Sequence, residues 1–301
     1  MSFSNKFGEF IKKILPAPFT IAVILSFLTF ILALFTQSTE DSNSFFKVLE
    51  FWEKGLWDNQ LMVFAMQMML MLVLGHALAL SAPLEKIINK TTSFCSNTAN
   101  AAAIITFSTL LVSLFNWGLG LIFGAIFARK VGEHATKNNI KLNYPLIGAA
   151  GYSGLMVWHG GISGSAPIKI AEQGHFLEEK MGVISQSETV FSSMNLTITF
   201  FLLLILPSLM YYIGKISKSE KINIYTDKKT ESTKISGAEF LDHSNILAFL
   251  FGGIILVYCG YKAIVLPNEI SLNFITPNFI NLTLLGFCII AHKSIFSFVN
   301  A

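Results

Sequence analysis

The sequence predicts an all-α integral membrane protein, and its composition and long apolar runs indicate this fold class. Of the 301 residues, 53% are apolar and 13% are charged, and the mean hydropathy is +0.60. A soluble domain usually carries about 25% charged residues. The charge content is therefore too low for a surface that faces water, and a soluble enzyme is not expected. The 28 phenylalanines suit a surface for which lipid is the solvent.

The apolar runs divide the chain into spanning helices and polar segments. Residues 1–18 predict a cytoplasmic amphipathic segment, and Pro16 and Pro18 favour a helix start directly after it. Five uninterrupted spanning helices are predicted at 19–35, 61–80, 190–213, 245–263 and 275–292. A cytoplasmic polar loop rich in Lys, Ser and Thr is predicted at 214–244.

Two further apolar stretches contain residues that interrupt helices. Residues 99–128 are interrupted by NWGLG at 116–120, and residues 144–168 are interrupted by HGGISGSAP at 159–167. Non-helical backbone at membrane depth is tolerated only where it lies inside protein or lines a water-filled cavity. Secondary transporters use such interruptions to build substrate and ion sites near the midplane. The pattern therefore predicts a re-entrant hairpin at 99–128, a broken helix at 144–172, and a transport site.

The distribution of basic residues favours the hairpin. Lys and Arg in short loops are retained on the cytoplasmic side. If residues 99–128 cross the membrane once, 8 of the 21 basic residues fall inside and 13 outside. If this stretch turns back at NWGLG, 16 fall inside and five outside, namely Lys47, Lys54, Lys169, Lys180 and Lys262. The second arrangement agrees with the rule, and it places the N-terminus in the cytoplasm.

The residues at the two interruptions suit a carboxylate or a small cation. HGGISGSAP offers hydroxyls, backbone amides that its glycines are expected to free, and a half-helix start at Ala166-Pro167 whose positive dipole end suits an anion. NWGLG offers an amide, an indole and carbonyls exposed by its glycines. The candidate substrate- or ion-binding residues are Asn116, Trp117, Gly118, Gly120, His159, Gly160, Gly161, Ser163, Gly164, Ser165 and Pro167.

Several polar and small residues also have a structural interpretation. Gly118, Gly120 and Gly124 can serve close helix packing alone. His76 and Gln67 are more typical of interhelical contacts than of proton carriers, and Lys169 either extends toward water or attracts anions. The three cysteines, Cys95, Cys259 and Cys288, resemble core residues, without disulfide or metal-ligand spacing.

Several function classes lack a signature in this sequence. No Asp or Glu lies inside the apolar runs, so cation coupling would use neutral oxygens or a histidine. A metal site, a resident cofactor, a catalytic residue set and a nucleic-acid partner are not expected, and the chain is not expected to be an enzyme.

Five segments resemble the bacterial short-chain fatty acid transporter family. They are Phe51–Pro83, Asn116–Arg129 (NWGLGLIFGAIFAR), Tyr144–Pro167 (YPLIGAAGYSGLMVWHGGISGSAP), Glu188–Asn195 (ETVFSSMN) and Ala291–Ser294 (AHKS). The resemblance covers nearly the whole chain. It differs at His159, where family members tend to have a third glycine, and in length, because members extend well past residue 301.

The resemblance implies a secondary transporter of the bacterial inner membrane that imports short-chain carboxylates such as acetoacetate or butyrate, coupled to Na⁺ or H⁺. It implies a fold of two inverted repeats, each with a re-entrant hairpin and a broken helix. Residues 19–213 would be the first repeat and residues 245–301 the truncated start of the second. A second chain that supplies the missing repeat is one expectation, and a non-transporting remnant or an interaction-only membrane protein is the alternative.

Overall fold

The computed structural model describes residues 10–11, 13–36, 44–224, 237, 239–266 and 272–301, and these are largely helical. The predicted amphipathic segment 1–18 lies mostly outside the described residues. The helices are α1 (Pro18–Thr36), α2 (Ser44–Leu56), α3 (Asn59–Ala79), α4 (Ala82–Thr92), α5 (Thr98–Phe115), α6 (Trp117–Lys137), α7 (Tyr144–Tyr152), α8 (Ser165–Ile170), α9 (Glu178–Met181), α10 (Ser193–Ile216), α11 (Glu239–Asp242), α12 (Asn245–Ile264), α13 (Pro277–His292) and α14 (Ile295–Val299).

Five of these helices are long and apolar enough to cross a membrane, namely α1, α3, α5, α10 and α12. Helix α13 is apolar but shorter. No residue of α1 is buried within the protein, and most of its Leu, Ile and Phe side chains are exposed, as expected of a surface that faces lipid. The prediction of an all-α integral membrane protein is confirmed.

The chain forms two compact units, residues 1–63 and 64–301. The first contains α1, α2 and the start of α3, and the rings of Phe30 and Phe45 meet edge to face at 5.3 Å. Helix α2 lies between the first two predicted spanning helices, in a stretch for which the sequence pattern predicts no helix. Its apolar residues are interspersed with Lys and Glu, which hides them from a search for uninterrupted apolar runs.

In the second unit, α5 is the central helix. It packs against α6, α7 and α10, and the core between them includes Ile105, Phe127 and Ile147, which are fully buried or nearly so. Helix α10 lies close against α5 at Gly214, where an added Cβ would lie 2.6 Å from Ala99 Cα. A second core joins α3 to α13, and a third joins α12 to α13. The three cysteines are buried and form no disulfide, as expected of core residues.

Three connecting segments meet at one end of this unit. The Thr98 hydroxyl, at the start of α5, accepts a hydrogen bond from the Asn143 amide at 3.0 Å and lies 2.8 Å from the Ser219 hydroxyl. Leu142 and Glu220 pair through their backbones. The start of α5 and the segments after α6 and α10 therefore lie together, and the basic residues near them share this end of the unit.

Candidate functional site

Asn116 is the single non-helical residue between α5 and α6, and it terminates both helices. Its backbone is extended (φ −149°, ψ 122°), its amide donates to Val112 O at 3.0 Å, and its Oδ1 accepts from the Leu119 amide at 2.7 Å. The Asn116 side chain thus accepts from a backbone amide in the first turn of α6, which has no carbonyl partner within the helix. Because Asn116 is fully buried, the polar side chain of this turn lies inside the protein.

The two helices that meet at Asn116 form an antiparallel hairpin with close glycine contacts. A Cβ added at Gly120 would lie 2.7 Å from Ser113 Cα, and one at Gly124 would lie 3.0 Å from Thr109 Cγ2. Gly118 and Gly120 belong to the first turn of α6, so their carbonyls accept hydrogen bonds within that helix. The expectation that these carbonyls are free for a ligand is wrong, and the glycines serve close packing.

The second interruption separates α7 from α8. Two short 3₁₀ turns, Ser153–Met156 and Trp158–Gly160, are followed by an extended Gly161 and by Gly164, which caps α8. The amides of Gly160, Gly161 and Gly164 donate to Val157 O (3.0 Å), Trp158 O (3.3 Å) and Gly161 O (3.0 Å). Local turns therefore use these amides. They are not free to bind an anion, contrary to the prediction from the sequence.

Helix α8 is also short. It begins at Ser165, one residue before the expected start, includes Pro167 in its first turn, and ends at Ile170. Six residues carry little aligned dipole, so the expected anion site at this helix start has weak support. Among the other residues of the segment, Ser163 is fully buried, Ser165 is half-buried and His159 is exposed.

The structure brings the two interruptions into contact. The Trp117 amide donates to Ser163 Oγ at 3.0 Å, and the Ile162 amide donates to Leu114 O at 2.8 Å. Gly161 lies directly against the hairpin, because an added Cβ would be 2.5 Å from Leu114 O and 2.8 Å from Leu114 Cα. We call this contact of 114–117 with 158–164 the junction.

Two residues that the sequence analysis does not select complete the junction. Asn195 of α10 donates from Nδ2 to Gly160 O (3.0 Å) and Val190 O (2.7 Å). The Trp158 ring meets Trp117 edge to face at 5.4 Å and lies 4.7 Å from the His159 ring. Asn195 is part of the ETVFSSMN segment. A polar residue at the start of an apolar helix was the feature of the sequence that could have pointed to it.

Replacing Asn195 with leucine is expected to lower stability by about 1–3 kcal/mol, because two carbonyls beside a buried glycine segment lose their donor. The melting temperature of the purified chain in detergent measures this effect. Ser208→Ala is the control, since its hydroxyl lies exposed on the same helix and bonds only Leu204 O. Equal melting temperatures for Asn195→Leu and the control would contradict this role.

Two hydrogen-bond donors in the junction have no partner. Asn116 Nδ2 and Trp117 Nε1 are buried, and within the described part of the chain nothing accepts from them. Leaving a buried donor unpaired costs about 1–3 kcal/mol. An acceptor that entered the junction would recover this cost, so the junction is suited to a ligand with carbonyl or carboxylate oxygens.

Lys169 and His76 carry side chains that could bind a ligand, and the structure places them differently. Lys169 is buried and forms an ion pair with Glu172 at 2.7 Å, with its Nζ 5.9 Å from the Phe64 ring centre, so its charge is already balanced. His76 is exposed, and no hydrogen bond of its side chain lies within the described ranges, so the expected interhelical contact is not found there. No cluster of three metal-binding side chains occurs among the residues described.

Comparisons with known proteins identify the family. Residues 1–301 match the model of the family described as "Short chain fatty acid transporter". The chain is 31% identical over 302 residues to a protein of Escherichia coli (strain K12) and 32% identical over 311 residues to one of Haemophilus influenzae (strain ATCC 51907 / DSM 11121 / KW20 / Rd). Both proteins are named "Putative short-chain fatty acid transporter".

Each alignment covers 97% of this chain and 65% of the relative, so the chain spans just under two thirds of the length of these relatives. No solved structure matches the chain. The family match and the apolar helices identify a multi-pass membrane protein of a transporter family and not of an enzyme family. The chain belongs to the short-chain fatty acid transporter family.

Proposed function

We propose that the chain moves short-chain fatty acids such as acetoacetate or butyrate across the bacterial inner membrane, coupled to a cation, and that it binds the carboxylate at the junction. The observation that carries this proposal is the pair of buried, unpaired donors, Asn116 Nδ2 and Trp117 Nε1. Hydrogen bonds to a charged acceptor contribute about 1.5–3 kcal/mol, more than those to a neutral one.

The surroundings of the junction support a small, partly apolar acid. Trp117 and Ile162 pack against a core that contains Met71, Leu74 and Ile168, which offers apolar contact to a short alkyl chain. The apolar runs that flank the junction contain no Asp or Glu to repel a carboxylate. The positive charge of Lys169 is paired, so neutral donors would provide the recognition.

The hairpin geometry supports the proposed topology. The start of α5 lies beside the segments that follow α6 and α10, which agrees with a stretch that leaves and re-enters on one side. We propose that this end faces the cytoplasm, because it carries most of the basic loops. The junction, at the opposite end of the hairpin, would then lie within the membrane.

Cysteine labelling tests this topology. In a variant without the three native cysteines, Lys137→Cys is expected to react only with a thiol reagent that has crossed the membrane, whereas Glu179→Cys reacts with an impermeant reagent added outside. Both residues are exposed in the structure. Labelling of both positions from the same side would contradict the proposed hairpin.

Uptake of labelled butyrate into proteoliposomes tests the proposed function. The chain is assayed alone and together with a polypeptide that covers the remaining part of the longer relatives, because those relatives extend beyond the matched region. Saturable uptake that acetoacetate inhibits is expected in at least one case. Folded protein without uptake in both cases would favour the alternative, a membrane protein that does not transport.

A further inference from the structure

Side chains of α13 form a polar stripe against α3. Asn278, Asn281, Cys288 and His292 follow each other at spacings of three, seven and four residues, which places them on one helix face. Asn281 Nδ2 donates to Gln67 O at 2.9 Å, and Cys288 Sγ donates to Leu74 O at 3.1 Å. His292 Nε2 lies 2.7 Å from Ala77 O, so this nitrogen carries the hydrogen.

Two carbonyl oxygens in this contact have no partner. Gln67 and Asn281 are 4% and 7% exposed, and within the described ranges nothing donates to Gln67 Oε1 or Asn281 Oδ1. The Asn281 amide is fixed in orientation, because the Gln67 carbonyl can only accept and must face Nδ2. Gln67 Nε2 donates to Asn278 Oδ1 at 3.0 Å, which leaves Oε1 as its unpaired atom.

The two side chains that carry the unpaired oxygens, Gln67 and Asn281, are connected through hydrogen bonds. Asn281 bonds the backbone of Gln67, and Gln67 bonds Asn278, one helical turn before Asn281. Each buried acceptor without a partner costs about 1–3 kcal/mol. A cation or a hydrogen-bond donor that reaches these oxygens would recover this cost, which an apolar ligand or an anion cannot do.

The absence of charged ligands selects the kind of cation. Helices α3 and α13 contain no Asp or Glu. Divalent cations in proteins are usually held by carboxylates, whereas neutral carbonyl oxygens replace the hydration shell of monovalent cations in channels and transporters. We propose that Gln67 Oε1 and Asn281 Oδ1 ligate a monovalent alkali cation of the Na⁺ class between α3 and α13.

This cation site is linked to the junction through α3. Gly75 of α3 lies against the start of α6, since an added Cβ would be 2.6 Å from the Leu119 amide nitrogen, and one at Gly118 would be 3.0 Å from Leu72 Cα. A cation that fixes α3 against α13 therefore fixes the helix on which the hairpin tip packs. Only the role of this cation in coupling rests on the proposed function; its binding does not.

Cation-dependent melting of the purified full chain, measured without any carboxylate, tests the site. With choline chloride keeping ionic strength constant, NaCl at about ten times its dissociation constant is expected to raise the melting temperature by about 2–4 °C. Gln67→Met keeps the side-chain volume and removes the oxygen, so the Na⁺-dependent rise is expected to disappear. Thr283→Val, a polar-to-apolar change on α13 at a hydroxyl that bonds Phe279 O within the helix, is expected to keep it.

A second variant keeps the test valid if Gln67→Met does not fold. Gln67→Glu supplies a carboxylate at the same position and is expected to retain the rise in melting temperature with Na⁺. A wild-type chain whose melting temperature is the same in NaCl, KCl, LiCl and choline chloride would overturn the proposal, as would a rise that persists in Gln67→Met. Butyrate binding measured in choline chloride tests the junction separately, so failure of one proposal is distinguishable from failure of the other.

Discussion

Replacing Gly161 with alanine is expected to separate the α5–α6 hairpin from residues 158–164. The free energy of unfolding is expected to fall by about 1–3 kcal/mol, and butyrate uptake about tenfold or more. The added methyl group would lie 2.5–2.9 Å from three backbone atoms of Leu114, which cannot move aside as a flexible side chain can. The backbone of Gly161 (φ −90°, ψ 170°) is open to any residue, so the effect arises from lost space alone. Melting temperature and uptake rate measure the two effects.

Gly148→Ala is the matched control for this prediction. Gly148 lies in α7, and an added Cβ there would meet nothing within 4 Å. Alanine at this helix position is expected to be neutral or to stabilise by about 0.5–1 kcal/mol. Uptake in Gly161→Ala as fast as in Gly148→Ala would show that contact between the hairpin and the break is not needed for transport.

Asn116→Ser is expected to weaken butyrate binding about tenfold or more, with a smaller loss of stability than Gly161→Ala. Serine can still accept the hydrogen bond that begins α6, because it is a good helix-capping residue, but it lacks the second donor, Nδ2. Loss of one hydrogen bond to a carboxylate of about 1.5–3 kcal/mol accounts for this factor. Concentration-dependent uptake measures it as a raised KM.

Trp117→Phe provides an independent test of the second donor. It keeps an aromatic ring against Trp158 and removes the indole N–H together with part of the ring volume. A raised KM of similar size is expected, whereas Trp52→Phe, in the exposed part of α2, is expected to leave KM unchanged. An unchanged KM in both Asn116→Ser and Trp117→Phe would place the carboxylate elsewhere.

Local pattern predicted the long apolar helices and the two interruptions, because polar and glycine-rich groups stand out within apolar runs. The boundaries agree within about three residues for the uninterrupted helices, since helix ends are set by caps such as Ser192 and Thr276 that the apolar pattern does not mark. The use of the glycine amides could not be predicted. Whether an amide is free depends on turns that form only in the folded chain.

Contacts between distant residues explain what the sequence did not predict. Asn195 reaches Gly160 across 35 residues, and Asn281 reaches Gln67 across 214. Single amides inside apolar helices carry no local signal of their partners, so their grouping appears only after packing. The contact of Ser163 with Trp117 is similar, because both lie in recognised segments but nothing in either segment specifies the bond between them.

The indole resonance of Trp117 provides the most direct test of carboxylate binding at the junction. The chain has four tryptophans, so a ¹H–¹⁵N spectrum of the indole-labelled protein in nanodiscs shows few signals, and Trp117→Phe assigns the relevant one. Titration with butyrate is expected to move the Trp117 indole proton downfield in a saturable way, as its unpaired donor gains a carboxylate, whereas butylamine leaves it unmoved. An unmoved Trp117 signal at butyrate concentrations that saturate uptake would contradict carboxylate binding at the junction.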